Sequence, residues 1–183
     1  MKRSQPHLFL RNLIKHPRTT GAIWPSSTYL VDEIVKQVNY HPEQYVVELG
    51  AGTGVVTDAL LKKRIPLDKL IVIEYNPAFV KLLQTKFKGL HIIQGNAIEL
   101  LSLLSSERGK VGTVVSSLPL RMLSKPARKK IVEQIYDLLP HDGRYIQFTY
   151  SYLDNDFQPF KNKIYSKRVW LNLPPARVDV FLK

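Results

Sequence analysis

Val46-Val47-Glu48-Leu49-Gly50-Ala51-Gly52-Thr53-Gly54 decides how this chain is read. The apolar run predicts a buried strand, the glycines a tight turn, and the residues from about 55 a helix. Glycines at 50, 52 and 54 let the backbone turn sharply and let a ligand approach it closely. Glu48 then falls at the carboxyl end of the first strand, where open α/β sheets bind ligands. Alone, a strand–Gly-x-Gly-x-Gly–helix stretch serves a dinucleotide, a nucleoside or only a tight loop.

Working outward, the next apolar run, 70–74, predicts a second strand ending in Glu74. That acid lies 20 residues past Gly54, where a strand-two carboxylate can accept both ribose hydroxyl protons. Asn76-Pro77 starts a helix, with Pro in the first position. A third strand over 91–94 leads into Gly95-Asn96-Ala97. Asn96 is suited to an adenine edge, or only to a turn or helix cap. A helix-like stretch over 98–104 precedes a fourth strand, 111–115, which ends in Ser116-Ser117-Leu118-Pro119-Leu120. There, hydroxyls and carbonyls reach the same sheet edge. An amphipathic helix over 125–139 and a fifth strand over 144–149 follow. Runs at 164–171 and 177–182, parted by Asn172-Leu173-Pro174-Pro175, predict an antiparallel hairpin. Upstream, Ser26 or Ser27 caps a helix over 29–38.

Five strands alternating with helices imply a doubly wound, mostly parallel sheet. With the hairpin added, the expected fold is α/β: the Rossmann-like seven-stranded sheet of class I methyltransferases, preceded by an N-terminal amphipathic helix. Three strand-end sites suit S-adenosylmethionine better than NAD. The glycine turn faces the methionine end, Glu74 the ribose and Asn96 the adenine. A full Gly-x-Gly-x-x-Gly spacing is missing, since 55 is Val and 57 is Thr.

The 183 residues suit one domain, and 44% hydrophobic content suits a soluble globular protein. Cysteine is absent, which excludes disulfides, thiolate nucleophiles and thiolate metal sites; no metal is expected. No apolar run reaches membrane-span length, and the basic N-terminus is too interrupted for a secretory signal. Lys and Arg number 27 against 15 Asp and Glu, a net charge of +12, which points to nucleic acid or anionic lipid. No acid precedes Asp32, whereas Lys2, Arg3, Arg11, Lys15 and Arg18 do. Leu10, Leu13 and Ile14 fall at helical spacing, with Phe9 beside Leu13, and make a short apolar face in a stretch that also carries Arg11 and Lys15. Such a short helix needs a surface: its own core, a second subunit or a bilayer.

From about Phe9 onward the chain resembles the bacterial phospholipid N-methyltransferases of the soluble, membrane-associating type. The glycine segment is common to many methyltransferases. Ser116-Ser117-Leu118-Pro119-Leu120, Gln147-Phe148-Thr149-Tyr150 and Leu173-Pro174-Pro175-Ala176-Arg177-Val178 are more specific. Phe9-Leu10-Arg11, Gly21-Ala22-Ile23-Trp24-Pro25-Ser26-Ser27 and Glu74-Tyr75-Asn76 also match. The resemblance implies successive methylation of phosphatidylethanolamine by S-adenosylmethionine, towards phosphatidylcholine. It implies a cytoplasmic enzyme docked on the inner membrane face by residues 1–18 (Phe9, Leu10, Arg11, Leu13, Ile14 and Lys15), with the methyltransferase domain over 19–183. Two departures stand out: Asn96 where Asp is common, and Ser117 where Gly is expected. The expected cofactor-binding residues are Glu48, Gly50, Gly52, Gly54, Glu74, Tyr75, Asn96, Ala97, Ser116, Ser26 and Ser27. Tyr150, Ser117 and Trp24 are the candidate catalytic residues. With Tyr152, the two aromatics suit a cage for a quaternary ammonium, or plain packing.

The rival reading is an adenine N6-dimethyltransferase of ribosomal RNA. Those enzymes carry Asn-Leu-Pro-Tyr or a variant after strand four. Here Leu120 stands for the aromatic and Ser116 for the Asn. They also carry a C-terminal RNA-binding domain, for which this chain leaves no room, so lipid rather than nucleic acid is the expected partner. A binding module with an inactive methyltransferase core is the non-enzyme alternative, and the intact cofactor signature speaks against it.

Overall fold

A computed structural model of the chain describes residues 27–150, 157–172 and 174–183. Seven strands form one sheet: β1 Tyr45–Leu49, β2 Leu70–Glu74, β3 His91–Gln94, β4 Val111–Ser116, β5 Arg144–Thr149, β6 Asn162–Val169 and β7 Ala176–Leu182. Their order is β3-β2-β1-β4-β5-β7-β6. The first five run parallel, while β7 is antiparallel to both β5 and β6. This is the expected sheet. Five α-helices lie among the described residues: α1 Thr28–Gln37, α2 Val55–Lys62, α3 Pro77–Lys86, α4 Leu100–Leu103 and α5 Lys125–Leu138.

Alternation along the strands builds two cores, one on each face. Val46, Leu70, Val72, Val115, Ile146, Val178 and Val180 pack with Leu30 and Ile34 of α1, Leu60 of α2 and Leu83 of α3. Val47, Leu49, Ile71, Ile73, Val114 and Tyr145 face the other way, against Leu100 of α4 and Ile131 and Ile135 of α5. Cover on both faces explains why β2 reads as a continuous apolar run.

Local chemistry sets the helix starts. Ser27 Oγ accepts from Leu30 N at 3.2 Å, Asn76 Oδ1 accepts from Ala78 N at 2.9 Å, and Ser124 Oγ accepts from Ala127 N at 3.4 Å. Pro77 occupies the opening turn of α3.

Two elements differ from expectation. The helix expected over 98–104 is a 3₁₀ turn, Ala97–Glu99, followed by the one-turn α4. The strand expected over 164–171 is displaced to Asn162–Val169. Pairing with β7 sets its limits, with an irregularity between Lys163 and Tyr165. β6 is an edge strand, exposed except at Tyr165 and Val169, so apolar counting has little to register on. The N-terminal amphipathic segment, including Phe9, Leu10, Arg11, Leu13, Ile14 and Lys15, lies outside the described residues. So do Trp24, Ser26 and Tyr152. Among the described residues no helix is long and apolar enough to cross a membrane.

Candidate active site

Glu48 ends up fully buried near the carboxyl tip of β1. Its Oε2 accepts a hydrogen bond from Thr57 Oγ1 at 2.6 Å, while Oε1 has no partner. Burial disfavours the charged form. Against the Thr57 hydrogen bonds and aided by the nearby Glu74 carboxylate, it pushes the Glu48 carboxyl up to about 7.

Glu74, at the tip of β2, holds the glycine turn in place. Its Oε2 accepts from Gly52 N at 3.0 Å and its Oε1 from Asn76 N at 2.8 Å. Each carboxylate oxygen keeps a second lone pair, so the group can still accept from hydroxyls. The turn itself separates two duties. A Cβ at Gly54 would stand 2.6 Å from Phe87 Cε2, where α3 closes on the turn with φ at +79°. A Cβ at Gly52 would meet nothing within 4 Å. Gly54 serves packing, and Gly52 leaves backbone open to the sheet edge. Gly50 donates to Ile73 O at 2.8 Å and lies against Leu118, which ties the first turn to both neighbouring strands.

The loop after β4 is anchored from three directions. Ser117 N donates to Leu49 O at 2.9 Å. Ser116 Oγ accepts from Leu118 N at 3.3 Å within a fully buried residue. Gln147 of β5, 1% exposed, donates from Nε2 to Leu118 O at 3.1 Å and to Phe148 O at 2.6 Å. Tyr145 Oη donates to Gln147 Oε1 at 2.7 Å and fixes the amide's orientation. The Ser116 hydroxyl is thus spent on the loop, whereas Ser117 Oγ is buried without a partner. Counting back from Leu118-Pro119 also places Ser117, not Ser116, where the adenine enzymes carry Asn; this corrects the alignment given above.

Asn96 caps the 3₁₀ turn, its Oδ1 accepting from Ile98 N at 3.1 Å, with Ala97 buried behind it. Gly95 N bonds Glu74 O at 3.1 Å and ties the β3 tip to β2, and Tyr75 is half-buried between Glu74 and Asn76. Tyr150, just past β5, is half-buried and edge-on to Phe148 at 5.8 Å, against the core shared with α1. Ser27 is set at the start of α1. Its N–H donates to Asn172 Oδ1 at 2.8 Å, and Asn172 Nδ2 donates to Pro174 O at 2.7 Å.

The structure therefore gathers Glu48, Gly50, Gly52, Gly54, Glu74, Asn96 and Ser117 along the carboxyl tips of β1 to β4. Sequence reasoning gave no role to Thr57, Gln147 or Asn172. Gln147 between Ile146 and Phe148, a polar residue inside an apolar strand, was the available signal. Two buried polar atoms without partners, Glu48 Oε1 and Ser117 Oγ, beside the open backbone of Gly52, fit a ligand that brings polar groups of its own. Among the described residues, no cluster of His, Asp or Glu is able to hold a metal ion.

Residues 21–148 match the sequence profile of the ribosomal RNA adenine dimethylases. The chain belongs to that family. It is an S-adenosylmethionine-dependent methyltransferase, and S-adenosyl-L-methionine is its cofactor. It is 29% identical to an ornithine lipid N-methyltransferase of Singulisphaera acidiphila, over 92% of this chain and 91% of that one. It is 32% identical to ribosomal RNA small subunit methyltransferase A of Mycoplasma capricolum, over 69% of this chain and only 47% of the relative. The chain thus spans about half the length of that ribosomal RNA enzyme. Among solved structures, the 1,6-didemethyltoxoflavin-N1-methyltransferase of Burkholderia thailandensis, bound to S-adenosylhomocysteine, shares the fold. Its TM-score is 0.70 at 16% identity, with 100% of this chain and 92% of that chain covered. The dimethylase family is the one weighed above as the rival. The expected likeness to phospholipid enzymes is supported at the level of methyltransferase.

Proposed function

We propose that this dimethylase-family chain methylates the amine of phosphatidylethanolamine and of its mono- and dimethyl forms, towards phosphatidylcholine, at an anionic membrane surface. One observation carries the reading: the loop after β4 offers a planar base nothing to stack on. Leu120, in the place of the aromatic, is 3% exposed and belongs to the core, and Ser117 has no amide to pair with a purine edge. Enzymes acting on a base need such faces and edges; an aliphatic amine does not. The near full-length match to a lipid N-methyltransferase supports the same direction.

Glu48, Gly50, Gly52, Gly54, Glu74, Tyr75, Asn96, Ala97, Ser116, Ser26 and Ser27 are the residues proposed to hold the cofactor, Ser116 indirectly by setting the loop. When bound, S-adenosylmethionine supplies a methyl group on a positively charged sulfur. Glu48, with its free oxygen, suits that positive charge. Ser117 Oγ, which has no partner of its own, is proposed to accept a hydrogen bond from the incoming amine and to orient its lone pair; positioning of this kind carries much of the acceleration in transfer reactions. Tyr150 and Trp24 are proposed to line the path of the product ammonium.

A second reading has its own support: ornithine lipid also presents an aliphatic amine, and the relative that matches along most of its length is named for it. Labelled S-adenosylmethionine offered with vesicles of phosphatidylethanolamine, vesicles of ornithine lipid and ribosomal RNA separates the readings. Label in methylated phosphatidylethanolamine is expected. Label in ornithine lipid alone replaces the head group, and label in RNA alone overturns the lipid reading.

A further inference from the structure

The turn between β6 and β7 carries a surface that the methyl-transfer site does not use. Trp170 and Leu171 are 64% and 67% exposed, side by side at the end of the edge strand. Arg168 lies 5.9 Å from the Trp170 ring centre, while the ammonium of Lys167 next to it is paired with Glu33 of α1 at 2.7 Å. Because β7 runs antiparallel to β5, Thr149 is paired with Arg177 and Val169 with Ala176. The turn therefore opens on the same sheet edge as the tips of β1, β4 and β5, where Glu48 and Ser117 stand.

Two long stretches of the chain that reach that edge carry no acidic residue. No acidic residue occurs between Glu107 and Glu133, which includes Arg121 and Lys125 just past the β4 loop. None occurs between Asp156 and Asp179 either, which includes the whole of β6 and the turn. Lysines on an edge strand serve by themselves to block strand addition. An exposed Trp–Leu pair beside them works against that purpose and exposes apolar area to water. Tryptophan with an adjoining cation is the pairing that settles at the head-group level of a bilayer.

We propose that the β6–β7 turn is a membrane-docking element, in which Trp170 and Leu171 enter the head-group region of an anionic bilayer while Arg168, beside the Trp170 ring, stays at the level of the lipid phosphates. This rests on the lipid reading of the active site and adds to it an orientation: the edge bearing Glu48 and Ser117 faces the membrane. It is separate from the leading segment around Phe9 and is built from a different part of the chain.

The full chain with Trp24→Phe keeps Trp170 as its single tryptophan. Mixed with phosphatidylglycerol vesicles containing phosphatidylethanolamine, it should show blue-shifted emission, quenched by lipids brominated in the upper acyl chain. Trp170→Glu with Leu171→Glu should weaken vesicle binding by about tenfold or more and lower methylation of vesicle lipid. The same double variant should keep methylation of a short-chain, monomeric aminophospholipid. Unshifted, unquenched Trp170 emission on a vesicle-bound chain overturns the docking role and leaves the lipid substrate standing. Loss of methylation on the monomeric lipid as well shows the turn to be part of the fold or active site, which also overturns it. Absence of vesicle binding together with absence of lipid methylation by the unsubstituted chain overturns both.

Discussion

The two flanks of the sheet are built on different terms. On the β3-β2-β1 flank the donors are backbone N–H groups: Gly52 N, Gly50 N and Gly95 N donate to Glu74 Oε2, Ile73 O and Glu74 O. On the β5-β7-β6 flank, side chains make the ties. Gln147 holds Leu118, Asn172 holds Ser27, Asp179 accepts from Ser166 and Arg177, and Glu33 of α1 accepts from Lys167 and Tyr165 of β6. A turn held through its backbone N–H groups, with Gly50, Gly52 and Gly54 all at positive φ, tolerates few substitutions. A flank made from side chains can be rewritten one pair at a time.

The largest expected effect lies on the backbone flank. Gly54→Val places a branched side chain at φ +79° and within 2.6 Å of Phe87, so it should cost about 4 kcal/mol of stability or prevent folding, read by denaturant midpoint. If it is tolerated, the turn is looser than described and the contrast between flanks fails.

Glu48→Gln comes next and depends on pH. A carboxyl raised from 4.5 to about 7 by the fold binds its proton more tightly when folded. Its stabilising contribution is complete below about pH 4.5 and is lost as pH rises through about 7. The amide variant should therefore melt higher than the parent at pH 8, by at most about 3 kcal/mol, and match it near pH 4.5. Cofactor affinity of the parent should rise with pH through the same range, because the cofactor's positive charge favours the ionised acid. Equal melting of the two proteins at both pH values would show Glu48 to be solvated.

Glu74→Ala should weaken cofactor binding by about 1–3 kcal/mol in calorimetry. It also removes the acceptor for Gly52 N and Asn76 N, so some loss of stability accompanies it. Unchanged affinity would confine Glu74 to holding the turn. The smallest effect should come from the side-chain flank. Asn172→Ala frees Ser27 N and Pro174 O, for about 1–2 kcal/mol of stability with cofactor affinity unaltered. A fall in cofactor affinity would show that the two flanks are not independent.

The backbone flank was almost wholly legible in the sequence. The apolar run over 70–74 gave β2 its limits, because a strand covered on both faces leaves a continuous pattern. The glycine spacing located the turn, and Pro77 and Asn76 located the start of α3. The other flank was read more loosely. β6 is exposed along one strand edge and its limits come from pairing with β7, which periodicity does not carry. Thr57, Gln147 and Asn172 act through partners 9, 29 and 145 residues away along the chain, so their neighbours in sequence give no sign of what they hold. Ser116 and Ser117 are adjacent and chemically identical. Only the pleat, which turns one hydroxyl inward to Leu118 N and leaves the other unmatched, tells them apart.

The reversed direction of β7 has a consequence for how such a chain can change. A connection between two antiparallel neighbours can be lengthened, shortened or recharged without altering the order of any strand. The short stretch from Trp170 to Pro175 is therefore a place where descendants of one methylating scaffold can acquire different addresses in the cell while the chemistry at the other end of the sheet stays as it was.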